Sequence, residues 1–115
     1  MTTIIINDLP YSSNDKAWNG LKLGLTLLAY DQKVTLFLMD DGIDVGRQNH
    51  QAPEGEANLE QLVEDFLREG GRVKGCKTCI ENNGVSKEPL IEGIKVANMG
   101  DLSAYVANSD KVVSF

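Results

Sequence analysis

The chain has 115 residues, of which 42% are hydrophobic and 24% charged, so it is long enough to bury a core without disulfides or a structural metal, and its composition excludes disorder. Its 11 basic and 17 acidic residues give a net charge of −6 and form no basic stripe, which argues against nucleic acid as a partner. The length predicts one domain over residues 1–115. No signal peptide and no run of about 20 apolar residues is visible, so we expect a cytoplasmic protein with no membrane partner.

The N-terminal segment predicts a strand followed by an amphipathic helix. Ile4-Ile5-Ile6 is a β-branched run that is typical of a strand buried on both faces. Apolar residues recur at helical spacing over 14–30 and predict the helix, with Trp18 in its buried face. At its start, Ser12 and Asp15 have the spacing of a capping box.

A second strand and a long loop follow. Residues 34–39 are continuously apolar and predict another buried strand, which ends in a turn at Asp40-Asp41-Gly42. Residues 42–56 are polar and glycine-rich, and they predict a long loop in which His50 is a solvated residue. Loops of this length in compact domains are often functional or mobile.

Shorter patterns complete an alternating order of strands and helices. The remaining predicted elements are an amphipathic helix over 59–67 with Phe66 in the core, strands over 72–75, 94–96 and 111–115, and a helix that Asn98 and Asp101 can cap. Alternation of this kind, with strands apolar on both faces, predicts an α/β fold around a mostly parallel five-stranded sheet that is covered on both sides.

Polar or reactive side chains follow three of the predicted strands. Asn7 and Tyr11 come after the first strand, Asp40 after the second, and Cys76 at the end of the third, with Lys77 beside it. Sites in open parallel sheets form at the carboxyl ends of the strands. We therefore expect these residues to share one edge of the sheet.

The segment Cys76-Lys77-Thr78-Cys79 is the sharpest signal for chemistry. A cysteine attacks as the thiolate, and its pKa of about 8.5 falls near cations or at a helix N-terminus. Lys74 and Lys77 lie nearby, and a helical turn over 76–83 would place Cys76 at its positive end. The alternative is that both cysteines are small buried residues without chemistry.

Other chemical uses fit the sequence less well. A structural zinc site needs four ligands, and the two cysteines could be joined only by the single histidine, His50. In thioredoxin-like enzymes the dithiol follows the first strands, whereas here it follows a third. Gly42 and Gly46 lack the spacing of a phosphate-binding loop. The sequence therefore predicts no cofactor and no metal.

Apolar residues in predicted loops indicate self-association. Leu9, Tyr11, Ile43 and Val45 all fall outside the predicted strands and helices. Exposed apolar residues that gather in one place tend to mark interfaces. We therefore expect a homo-oligomer.

The sequence resembles the DsrE/DsrF-like family, and within it the small YchN-type members, over essentially the whole chain. The segments that carry the resemblance are Ile4-Ile5-Ile6, Pro10-Tyr11, Leu36-Phe37-Leu38-Met39-Asp40, Pro53-Glu54-Gly55-Glu56, Val73-Lys74-Gly75-Cys76-Lys77-Thr78-Cys79, Gly84-Val85, Pro89-Leu90-Ile91 and Asp110-Lys111-Val112-Val113-Ser114-Phe115.

The resemblance implies a three-layer α/β/α fold and assembly as a homotrimer or hexamer. Sulfur-relay members of the family carry a persulfide on one cysteine and pass the sulfur to a partner protein. The position in this chain that matches their sulfur-bearing cysteine is Cys76. Cys79 belongs to the YchN-type pattern and is absent from many relay subunits.

Three functions remain open on these observations. In the first, Cys76 takes sulfur from a donor, yields it to an acceptor protein, and Cys79 acts as the resolving thiol. In the second, the dithiol is the redox-responsive part of an oligomeric binding module that transfers no group. In the third, the protein is a structural oligomer with inert thiols.

Overall fold

The computed structural model describes residues 1–115. In chain order its elements are β1 (Thr2–Ile6), α1 (Lys16–Ala29), β2 (Val34–Leu38), a 3₁₀ segment (Asp40–Gly46), α2 (Leu59–Arg68), β3 (Arg72–Cys76), α3 (Lys77–Asn82), β4 (Lys95–Ala97), α4 (Met99–Ala107) and β5 (Lys111–Ser114). None of the helices is long and apolar enough to cross a bilayer.

All five strands are parallel, in the order β4-β3-β2-β1-β5. Every residue of β2 is buried, as expected for the central strand of a sheet covered on both faces. The α/β prediction with a five-stranded parallel sheet is therefore confirmed.

Helices lie on both faces of this sheet. On one face, a Cβ placed on Gly24 of α1 would lie 2.9 Å from Phe66 of α2 and 3.5 Å from Leu36 of β2, so these two helices pack closely together and on the sheet. On the other face, Ser109 at the end of α4 shares a hydrogen bond of 2.7 Å with Thr3 of β1. The three-layer arrangement that the resemblance implies is confirmed.

The carboxyl ends of β1, β2 and β3 lie side by side at one level. Ile6 pairs with Leu38, and Leu38 pairs with Gly75. Any residue that directly follows one of these strands is therefore placed at the same sheet edge. This edge holds the cysteines.

The start of the predicted long loop is an ordered and buried segment. Residues 40–46 form the 3₁₀ segment, and a Cβ on Gly42 would overlap the carbonyl oxygen of Ile6, so the backbone lies directly against the end of β1. Ile43 and Val45 are fully buried. The prediction that these two residues are exposed at an interface is wrong, because the segment folds back over the sheet edge.

Two details of α1 also differ from the prediction. Trp18 is 40% exposed, because the buried face of the helix runs through Ala17, Leu21 and Gly24 instead. Asp15 makes no capping hydrogen bond; the side chain of Asn14 accepts the bond from the backbone of Lys16 at 2.9 Å. The capping box predicted there is wrong.

The other core and cap predictions agree with the structure. Phe66 is fully buried between the helices and the sheet. At the start of α4, the side chain of Asn98 accepts from the backbone of Asp101, and Asp101 accepts in return from the backbone of Asn98, each at 2.9 Å. The predicted cap of this helix is therefore confirmed as a reciprocal capping box.

Candidate functional site

Two free cysteines lie at the carboxyl end of β3. Cys76 is the last residue of that strand and Cys79 lies one helical turn later in α3. Both are nearly buried, with exposed fractions of 9% and 5%. Residues three apart on a helix lie on the same face, so the chain places the two thiols next to each other.

The thiols form a small hydrogen-bonded group. The Sγ of Cys76 lies 3.4 Å from the hydroxyl of Thr78. Asp40 is the second residue after the end of β2. Its backbone N–H donates to the Sγ of Cys79 at 3.2 Å. Each sulfur atom therefore has its own set of polar partners.

These partners drive the two pKa values apart. Burial disfavours the Cys76 thiolate, but hydrogen bonds from Cys79 and Thr78 outweigh burial and lower the pKa of Cys76. For Cys79, burial, the hydrogen bond to Cys76 and the nearby charges of Cys76 and Asp40 raise the pKa to about 11. At neutral pH Cys79 is thus held as the neutral thiol, and Cys76 is the more easily ionised thiol of the pair.

Of the four expected neighbours, two lie at the cysteines. Asp40 contacts Cys79 through its backbone, and Lys77 is the exposed residue that follows Cys76. Asn7 instead donates to the carbonyl of Phe115 at 3.2 Å. The hydroxyl of Tyr11 accepts from the backbone of Leu59 at 2.8 Å. Neither Asn7 nor Tyr11 forms a hydrogen bond with a thiol.

His50 is a packed residue, so the prediction that it is a solvated loop residue is wrong. Its Nε2 lies 2.7 Å from the carbonyl oxygen of Asp44, and its ring meets the ring of Tyr11 edge-on, with centroids 5.9 Å apart. Its Nδ1 is buried without a hydrogen-bond partner. The cause is the ordered 3₁₀ segment, which provides the surface against which the histidine packs.

A buried ion pair joins this 3₁₀ segment to the cysteine helix. The Nε of Arg47 donates to Asp44 at 3.0 Å, and the two side chains are only 7% and 4% exposed. The guanidinium also donates to the carbonyl of Ile80 in α3 at 3.0 Å and to that of Glu88 at 2.7 Å. Arg47 therefore gives α3 a second polar attachment besides the Asp40–Cys79 contact.

Asp44 fastens the segment that follows α3. Its carboxylate accepts from the backbone of Val85 at 2.7 Å and of Ser86 at 3.1 Å. Gly84, with a φ of 77°, lies so close that a Cβ there would overlap the Asp44 carboxylate. We refer to the Asp44–Arg47 pair and these bonds as the clamp.

Sequence analysis missed the clamp. The signal was present: Asp44 and Arg47 are opposite charges three residues apart, which favours an ion pair wherever the backbone turns helically. The sequence nevertheless predicts a solvated loop for this segment, and charged residues are common in such loops without forming an ion pair.

Known proteins resemble the chain over almost its whole length. A model of the DsrE/DsrF-like family matches residues 1–115. The chain is 37% identical over 113 residues to an uncharacterised protein of Methanocaldococcus jannaschii, covering 98% of this chain and 97% of that protein. It is 32% identical over 114 residues to protein YchN of Escherichia coli K12, covering 97% and 96%.

Solved structures show the same fold. The crystal structure of the ychN protein from E. coli superposes with a TM-score of 0.86 at 31% identity, covering 99% of this chain and 97% of that one. A protein of unknown function from Methanobacterium thermoautotrophicum superposes with a TM-score of 0.71 at 14% identity, covering 99% and 97%, which shows a likeness of fold alone.

The opposite pKa shifts of Cys76 and Cys79 predict that the two thiols are alkylated with different pH dependences. Iodoacetamide should alkylate Cys76 with a midpoint below the value of about 8.5 for a free cysteine, and Cys79 with a midpoint near 11. Cys79→Ala should raise the midpoint of Cys76, because a donor to the thiolate is lost, whereas Cys79→Ser keeps a hydroxyl donor and should change it less. Peptide mapping by mass spectrometry measures each rate. A Cys76 midpoint that is the same in both variants would contradict this account.

The clamp predicts a large loss of stability from one substitution. Arg47→Met leaves the Asp44 carboxylate buried and unpaired, and should lower the free energy of unfolding by about 3–5 kcal/mol. Arg68→Met is the matched control, since Arg68 pairs with Asp65 at the surface and its loss should have little effect. Urea denaturation measures both. Similar changes in the two variants would show that the clamp contributes no more than a surface pair.

Proposed function

The chain belongs to the DsrE/DsrF-like family, which is associated in general with sulfur relay, and from that premise we propose that it is a sulfur carrier with a persulfide on Cys76. The observation that supports this proposal is the paired environment of the thiols. Cys76 is stabilised as a thiolate by hydrogen bonds, and a protonated Cys79 lies one turn away. A thiolate nucleophile can accept sulfur from a donor, and a second thiol beside it can release that sulfur by exchange.

The proposed loading step needs no oxidant. The Cys76 thiolate attacks the outer sulfur of a donor persulfide, a bond forms between that sulfur and Sγ, and the sulfur–sulfur bond of the donor breaks. The donor leaves as a thiolate with the electron pair, so the sulfur moves with no net change in oxidation state. The thiolate of an acceptor protein then attacks the terminal sulfur and frees Cys76 again.

Cys79 provides a second way to unload the sulfur. Once deprotonated, it can attack the Sγ of Cys76, release the terminal sulfur as hydrosulfide and close a disulfide. A dithiol reductant then restores both thiols. The high pKa of Cys79 slows this route at neutral pH and so favours transfer to an acceptor.

Sulfur loading can be observed directly. After incubation with glutathione persulfide, the intact mass should increase by one sulfur atom, and peptide mapping should locate it on Cys76. Cys76→Ser should abolish the increase. Cys79→Ser should retain it and lengthen its lifetime, because the resolving thiol is missing. No increase in the wild type, or an undiminished increase in Cys76→Ser, would refute the carrier function.

One contact favours a second candidate, the redox-responsive binding module. The N–H of Asp40 donates to Cys79, so closing a disulfide would alter a bond between the thiol and the buried 3₁₀ segment. The same mass experiment separates the two. The module would lose two hydrogens on treatment with glutathione disulfide and would accept no sulfur from the persulfide.

We also propose that the protein acts in the cytoplasm as a homotrimer or hexamer, the assemblies that the family resemblance implies. Free thiols persist in a reducing compartment. Val96 on the edge strand β4 is 54% exposed, and Met99 at the start of α4 is 62% exposed. Neighbouring exposed apolar side chains on an unpaired edge support an interface there.

Light scattering should therefore give a mass three or six times that of the 12.6 kDa chain. Val96→Asp should shift the mass towards the monomer, because a carboxylate cannot be buried unpaired at an interface. Ala29→Asp, an exposed change at the end of α1, is the control and should leave the mass unchanged. A monomeric wild type would contradict the assembly, and an unaffected Val96→Asp would exclude this edge from it.

A further inference from the structure

Two lysines lie on the same face of the sheet as Cys76, each two positions before the end of its strand. Lys74 of β3 pairs in register with Lys95 of β4, and Cys76 pairs with Ala97. Side chains two residues apart on a strand point to the same face, so both lysines share a face with Cys76. The Cα atoms of residues at this spacing are about 7 Å apart along the strand, a separation that a lysine side chain can span.

Nothing in the chain neutralises these two charges. The ion pairs of the structure are those of Arg47, Arg68 and the N-terminal amine, and neither lysine takes part in one. The ammonium of Lys74 lies 5.8 Å from the ring centroid of Tyr105 in α4. An aromatic face attracts a cation and holds its position without cancelling its charge.

The two aligned lysine charges destabilise the folded chain when no ligand is bound. Like charges aligned across neighbouring strands repel each other and destabilise a sheet. The chain has 17 acidic residues, yet neither lysine forms an ion pair with any of them. A ligand with negative charge would remove the repulsion.

The electrostatic surroundings of the two thiols differ in sign. Asp40 lies at Cys79, where its charge contributes to the raised pKa of that thiol. Lys74 and Lys95 lie on the side of Cys76. The two lysine charges attract an anion towards the sheet face that carries Cys76. Since Cys76 is only 9% exposed, the reacting end of such an anion must be small.

We propose that Lys74 and Lys95 bind a small anionic sulfane-sulfur compound as the sulfur donor to Cys76. This inference rests on the proposed persulfide function and adds its substrate class. With thiosulfate, the Cys76 thiolate attacks the sulfane sulfur and a bond forms between it and Sγ. The sulfur–sulfur bond of thiosulfate breaks, and sulfite leaves with the electron pair. Charge is conserved, and no further oxidant or reductant is needed.

The test compares an anionic donor with a neutral thiol reagent. In Lys74→Gln/Lys95→Gln, the second-order rate of sulfur loading from thiosulfate should fall about tenfold, because two attractive charges are lost. The rate of Cys76 alkylation by neutral iodoacetamide should change less than about twofold, and that by anionic iodoacetate should fall with the thiosulfate rate. Lys33→Gln/Lys111→Gln is the control, since both lysines lie at the opposite end of the strands.

The outcomes separate this inference from the carrier function. An unchanged thiosulfate rate in the double variant, or an equal fall in the iodoacetamide rate, overturns the lysine site. Loading from glutathione persulfide but not from thiosulfate also overturns it and leaves the carrier function intact. Loading from neither donor overturns both.

Discussion

The buried pair of Asp44 and Arg47 is the interaction on which the cysteine site depends. Two charges removed from water are tolerated only when they are paired and their remaining hydrogen-bonding groups are satisfied. Here the guanidinium reaches two carbonyls and the carboxylate reaches two amides beyond the ion pair itself. The pair thus joins the 3₁₀ segment to the cysteine helix and to the chain that follows it.

Helix α3 needs such support because it is very short. Its six residues form too few turns to be stable alone. The 3₁₀ segment secures it at two points, through the N–H of Asp40 at Cys79 and through Arg47 at the carbonyl of Ile80. The position of Cys79 therefore depends on polar contacts from the 3₁₀ segment and Arg47 as well as on apolar packing in the core.

This arrangement gives two identical side chains different chemistry. Cys76 receives hydrogen bonds that favour the thiolate, and Cys79 is buried next to negative charge that favours the thiol. The proposed attraction of anions by the two lysines acts on the sheet face that carries Cys76. The difference arises because parallel strands place the ends of β2 and β3 side by side, so that residues of both surround the pair.

The sequence by itself determined the architecture: continuous β-branched runs and helical periodicity are local patterns, and they predicted a mostly parallel five-stranded sheet, the helices between its strands and Cys76 at a strand end. Only the tertiary structure decided the features that need partners distant in the chain. These were the burial of Ile43 and Val45, the packing of His50, the exposure of Trp18 and the clamp. Arg47 and Glu88 are in contact across 41 positions of sequence, and no local pattern encodes such a contact. The backbone packs closely at Gly42 against Ile6 and at Gly84 against Asp44. The segment that was predicted as a solvated loop is therefore ordered and supports the site.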